Sequence, residues 1–212
     1  MSIPITLLWN APSANFIGLL QSRLNAGPMV LTNPTGVSIP NFARTVSFTS
    51  AFNNSAMAFT IVGKDIYGNV ITEAPIAGPN ANTVESVNSY NFITSITASA
   101  AFTSVSVGTG TGGQSIWVVL NPLNVGAQTS LNATVTGTVA YSVVRTPIDV
   151  NKYPFPAPAN VYTYPVVAAL TAATTNQAYE MTIPSMGVQL QMAQGAGNTG
   201  TVAFTVLQQG VC

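Results

Sequence analysis

Asp65, Asn69 and Glu73 surround the short turn Tyr67-Gly68-Asn69 and form the nearest set of groups in this chain that could move a proton or hold a cation. Across a hairpin two such carboxylates could approach each other and share acid–base work. The acidic density and the ligand spacing of a calcium loop are missing. The expectation is therefore a turn-capping Asp65 and a solvent-facing strand residue Glu73. The chain contains no histidine and a single cysteine, Cys212. Ser-His-Asp and Cys-His catalysis are excluded by composition, an internal disulfide is impossible, and zinc would find carboxylates alone. Cys212 reads as a free thiol on a frayed end, or else as a link between two copies. The glycine-rich run Gly108–Gly113 fails as a phosphate cradle, because no Lys-Ser or Lys-Thr follows it and no helix opens there; it is expected to be a flexible loop. No catalytic, cofactor-binding or metal-binding residue is assigned, and a non-enzymatic protein without a cofactor is expected.

Charge narrows the partners. Only 5% of the 212 residues are charged, five cations against five anions, for a formal net charge of zero. A typical soluble domain carries about 25%, so Thr, Ser, Asn, Gln, Ala and Gly must fill most of the surface. Nucleic-acid binding needs clustered Lys and Arg, and Arg23, Arg44, Lys64, Arg145 and Lys152 are scattered. Zero net charge also removes the repulsion that keeps copies apart. Mean hydropathy is positive, yet no run approaches the ~20 apolar residues of a spanning helix, and MSIPITLLWN lacks the basic start of a signal peptide. Evenly spaced strands with aromatic girdles are missing too, which speaks against a membrane barrel. Neither a membrane nor a nucleic acid is expected as a partner.

The elements that must position any site are strands. Val46 and Phe48 alternate with Thr45, Ser47 and Thr49, and Met57, Phe59 and Ile61 with Ala58 and Thr60; this is the period of a half-buried strand. Asn53-Asn54-Ser55 between them reads as a hairpin turn, and Asp65 to Asn69 as a second turn with Gly68 at positive φ. Phe92, Thr94 and Ile96 share a face, Val105 and Val107 alternate with serines, and Ile116–Leu120 is apolar throughout and so expected to be buried on both faces. Leu131 to Val143 alternates except at Gly137, as one kinked strand or two joined there. Val188, Leu190 and Met192, then Val202, Phe204 and Val206, predict a closing hairpin. Met57–Val62, Val139–Val144 and Val202–Leu207 share one pattern, either duplicated units or simply similar half-buried strands. Trp9 and Trp117 are assigned to the core.

Residues 1–40 carry five prolines and are read as an N-terminal arm, with a short helix over Ser13–Leu24 from the spacing of Phe16, Leu19, Leu20 and Leu24. Either the arm docks on a neighbouring subunit or it packs on its own core. Tyr153, Phe155, Tyr162 and Tyr164 lie in a proline-dense segment expected to run extended over the surface. Aromatics beside proline make good interface anchors, so Phe16, Leu20, Tyr153, Phe155, Tyr162 and Tyr164 are the candidate interface residues. The same rings could instead meet a glycan. The fold expected is all-β: antiparallel β-sandwich or jelly-roll-like units with an extended N-terminal arm, divided as 1–40, 41–125 and 126–212.

The string VSFTS..NNS..AFTIVGKDIYGNVITE, followed by GPNANTVES, NFITSITAS and VSVGTGTGGQSIW, resembles virion structural proteins of tailed bacteriophages and prophages, of the head decoration or cement type. The resemblance spans roughly Asn25 to Trp117 and, more weakly, GTVAFTVLQQG near the end. It implies a location in the virion, on the capsid surface, after assembly in the host cytoplasm. It also implies the major capsid protein or other virion proteins as partners, and a homo-oligomer, dimer or trimer. A tail or neck protein and a carbohydrate-binding adhesion module of the virion are the alternatives.

Overall fold

The computed structural model describes residues 4–121, 128–150, 163–166, 168–195 and 197–208. It is all-β, with one 3-10 turn at Ala168–Leu170 and no α-helix among the described residues. The chain forms two compact units, a continuous one over Pro12–Gly113 and a split one made of Met1–Ala11 with Gln114–Cys212. The first strand, β1 (Ile5–Trp9), belongs to the split unit, and the next ten build the continuous one.

The continuous unit comprises β2 (Gly18–Arg23), β3 (Gly27–Pro28), β4 (Val37–Ser38), β5 (Phe42–Thr49), β6 (Ala58–Lys64), β7 (Val70–Thr72), β8 (Ile76–Ala77), β9 (Thr83–Glu85), β10 (Phe92–Ala98) and β11 (Phe102–Ser115). One sheet runs β3-β10-β6-β7, with β4 also on β10 and β8 on β6; the other runs β2-β11-β5-β9. Between them Phe48 of β5 stacks on Phe59 of β6, with ring centroids 4.2 Å apart, and Phe102 of β11 meets Phe59 edge-on at 5.8 Å. This triplet is the centre of the sandwich core, because aromatic pairs add to the burial of their large apolar area.

Asn53-Asn54-Ser55 is not a hairpin turn. The strands on either side of it lie in different sheets, so the connection crosses the sandwich and lets two half-apolar strands bury their faces against each other. The turn at Asp65–Asn69 does close a hairpin, with Val62 opposite Thr72 and Lys64 opposite Val70, and Gly68 takes φ 86°. Thr45 and Ser47 do not face solvent: both are buried, with hydroxyls bonded to Glu85 and to the carbonyls of Gly112 and Thr109. In β10 the register slips between Ile93 and Ser95, so Ile93 and Ile96 turn inward and Thr94 is left outside, breaking the expected Phe92-Thr94-Ile96 face.

Two further expectations fail together. Gly108–Gly113 is ordered strand within β11, and Ser13–Leu24 forms no helix: Ala14–Asn15 is a turn and Gly18–Arg23 is a strand paired with β11. Thr109 N donates to Ser13 O at 2.9 Å, Ser13 N to the Thr109 hydroxyl at 3.0 Å, and Ile17 N to Val107 O at 3.0 Å. A helix of twelve residues is marginal alone, whereas β11 offers the same backbone groups a ladder. Glycine suits this position of β11, since a Cβ on Gly108 would strike Ser13 O and the Ala14 backbone.

The split unit adds β12 (Val118–Val119), β13 (Thr129–Thr136), β14 (Tyr141–Thr146), β15 (Tyr164–Pro165), β16 (Gln177–Met181), β17 (Gly187–Met192) and β18 (Thr201–Gln208) to β1. One sheet is β1-β18-β13-β16; in the other β14 lies between β15 and β17, and β12 pairs with β17. Gly137, at φ 83°, separates β13 from β14 and sends them to different sheets, which settles that alternation as two strands. Likewise β17 and β18 do not pair, so the predicted closing hairpin is a crossover. Buried Asn198 pins it, donating to Ala193 O and accepting from Ala140 N, each at 2.6 Å. Trp9 and Trp117 are buried as expected, whereas Ile116 and Val119 are exposed, so the run Ile116–Leu120 is buried only in part.

Residues 1–40 are therefore not one arm in structural terms: Ile5–Trp9 completes a sheet of the split unit by pairing with Val202–Val206, while Gly18–Arg23 pairs within the continuous one.

Candidate functional site

The carboxylates with the best spacing for chemistry serve the fold. Asp65 Oδ1 accepts from Tyr67 N at 2.8 Å and Asn69 N at 2.9 Å, and Oδ2 accepts from Asn69 Nδ2 at 3.0 Å, the pattern of a side chain closing its own turn. Glu73 is buried, contrary to the solvent-facing role expected of it. Its oxygens accept from Val87 N at 2.6 Å, Asn88 N at 3.1 Å and the Tyr90 hydroxyl at 3.0 Å. The two acids thus turn to different partners, and each accepts from two backbone amides and one side chain.

A second polar cluster was invisible in the sequence. Arg44 is buried and donates from Nη2 to Gly110 O at 2.7 Å. Glu85 accepts from the hydroxyl of Thr45 at 2.8 Å, and from Thr111 through both its amide and its hydroxyl. Burial lowers the Arg44 guanidinium to about 10, against the opposing pull of Glu85. These partners are contributed by β5, β9 and β11, so no local motif announces them. Among the described residues no group of three or more His, Cys, Asp or Glu is placed to hold a metal ion.

These clusters change the exterior. With Arg44 and Glu73 inside and Glu85, Arg23, Asp65 and Arg145 partly covered, the exposed charged side chains among the described residues are Lys64, Asp149 and Glu180. Against so few ions stand many exposed large apolar groups. Phe16 and Leu20, both candidate interface residues, are among them, and so are Leu19, Leu24 and Val30 nearby in sequence. Tyr164 is exposed too, but the Arg145 guanidinium lies over its ring at 5.4 Å, which occupies one face. Tyr153, Phe155 and Tyr162 lie outside the described residues, as does Cys212.

The signal for the exposed group was present and misread. Leu19-Leu20 is an adjacent apolar pair, which fits a helix face but in a strand must point to both sides. In β2 both leucines are 65% exposed. At the end of this strand a cavity of about 410 Å³ is lined by Ser22, Arg23, Leu24, Asn53, Ala56 and Met57, together with Asn54 and the stretch from Ala100 to Thr103. Arg23 is spent on the local backbone, donating to Pro28 O and Asn25 O.

No protein-family model, no curated protein and no solved structure matches this chain.

Proposed function

We propose that this protein is a non-enzymatic structural component of a tailed-phage virion, with capsid decoration as the role the sequence resemblance favours. The observation that carries the proposal is the exterior, where ions are fewer than even the composition implies and large apolar side chains stand uncovered. A surface of that kind associates through apolar area and hydrogen bonds, which screening by salt barely touches. Open sheet edges extend the same logic. Strand β1, ITLLW, pairs on one side with β18, carries no charge and stands at the end of its sheet's strand order, as strand addition requires.

The test is immunogold labelling of particles purified from the source strain, with retention followed from low to high salt. Label spread over heads and held at high salt is the expected result. Label at the tail or neck would move the protein within the virion, and particles without label would reject the proposal.

A further inference from the structure

We infer that β1 is a docking edge for its own kind: a second copy of this chain lays its β1 antiparallel alongside, joining two four-stranded sheets into one of eight strands. This rests on the strand-addition part of the proposed function and names the strand that is added.

A comparison of the sheet ends singles out β1. Proteins guard open edges against pairing with a charge, a proline or sheer shortness. Among the described residues the sheet-end strands longer than three residues are β1, β2 and β16. Of these, β2 ends in Arg23 and β16 carries Glu180. The five residues of β1, ITLLW, include neither a charge nor a proline, and the strand pairs with β18 alone among the described strands.

Charge and symmetry favour a second copy as the occupant. Pairing β2 or β16 with itself would set two like charges in one short ladder, which is destabilising. Two copies of β1 meet with no charge on either side, in a chain whose formal net charge is zero. Pro4, which has no N–H to give a ladder, confines the pairing to the strand itself. An antiparallel ladder centred on Leu7 then uses the strand in full and obeys a two-fold axis. Leu7 lies opposite the partner's Leu7, and Thr6 opposite the partner's Leu8, at both ends of the contact. Leu8 is 53% exposed on the solvent face and Ile5 46% exposed on the other. Edge-on pairing flanks both faces of a sheet at once, so each of these side chains gains a cross-strand neighbour. The resulting eight strands stay within the usual size of a sheet.

Sedimentation velocity of the full chain over a concentration series, with amide exchange in parallel, reads the pairing. The wild type is expected to dimerise, and exchange within Thr6–Leu8 to slow as concentration rises. Thr6→Lys and Leu8→Glu each bring two like charges into the ladder and should weaken dimerisation roughly tenfold. Mixed in equal amounts, the two variants should pair with each other more tightly than either does with itself, because the register sets the introduced cation opposite the introduced anion. Both positions are exposed, and circular dichroism checks that both variants fold. Leu24→Asp, on an exposed site of the continuous unit, should dimerise like wild type. A wild type that is monomeric throughout, single variants that pair normally, or a mixture no tighter than its components would overturn the inference. So would a dimer broken by Leu24→Asp. Particles lacking the protein would reject the virion reading and leave a measured dimer standing, whereas a monomer found on particles would do the reverse.

Discussion

The Tyr90 hydroxyl donates to Glu73 Oε2 at 3.0 Å, joining a residue with no exposed surface to a carboxylate that also holds the amides of Val87 and Asn88. The carboxylate thereby fixes the segment between β9 and β10, whose backbone returns to β5 through Tyr90 and Arg44. Burial first, then the charge of Glu73 and its hydrogen bond, push the Tyr90 phenol above its ordinary value of 10.0, with the side-chain bond to Asn88 working the other way. Burial raises Tyr141 similarly.

Stability at alkaline pH follows from these shifts. Both phenols are raised in the folded chain, so their contribution is complete below the unfolded value near 10 and is lost as pH climbs through the folded values. Arg44 runs the opposite way, its depressed folded value favouring the fold increasingly as pH rises above about 10. The urea midpoint should fall as pH rises above 10, and less steeply in Tyr90→Phe, which at neutral pH costs about 1.5–3 kcal/mol for a lost bond to a charged acceptor. Parallel curves for variant and wild type would contradict this account.

Gly108→Ala should loosen the segment Ser13–Ile17 from β11. The added methyl meets the Ser13 carbonyl and the Ala14 backbone, which have no flexible side-chain end to yield. Overpacking of this kind costs about 1–3 kcal/mol, and amide exchange at Ile17 and Thr109 should accelerate ahead of the Phe59 and Ile61 amides of β6. Uniform acceleration across the unit would argue against a local release.

Asn53 and Asn54 should respond to alanine very differently. Asn54 is buried, donates to the Ser50 hydroxyl at 2.9 Å and Thr103 O at 3.0 Å, and accepts from Thr103 N at 2.8 Å. Its loss strands buried polar groups, at about 1–3 kcal/mol each. Exposed Asn53 bonds only Ser55 by its side chain, two residues on, and its replacement should stay within about 0.5 kcal/mol in a chemical denaturation series. Equal losses at the two positions would show that the crossing is not pinned by Asn54.

Much of this protein was legible before any coordinates. Alternation at Phe59 and Ile61, at Leu131 and Ala133, and at Val202, Phe204 and Val206 correctly marked strands and their inward faces, because side-chain direction in a strand is a local property of the backbone. The Asp65–Asn69 turn was equally local, with its capping groups inside five residues. The scarcity of charge was also fixed by composition.

Which sheet a strand joins was decided only in three dimensions. The chain leaving β5, β13 or β17 pairs with nothing next to it in sequence, since a half-apolar strand is buried best by crossing to the facing sheet, and nothing local distinguishes that from a hairpin. The segment Gly18–Arg23 became strand because β11, far along the chain, offers it backbone partners. Arg44 and Glu73 were withdrawn from solvent by groups well away in sequence, Gly110 for the one and the segment between β9 and β10 for the other. Leu24 gained its cavity the same way, from loops that only the folded chain brings together. Periodicity is written residue by residue, but contact belongs to the pairs that folding creates.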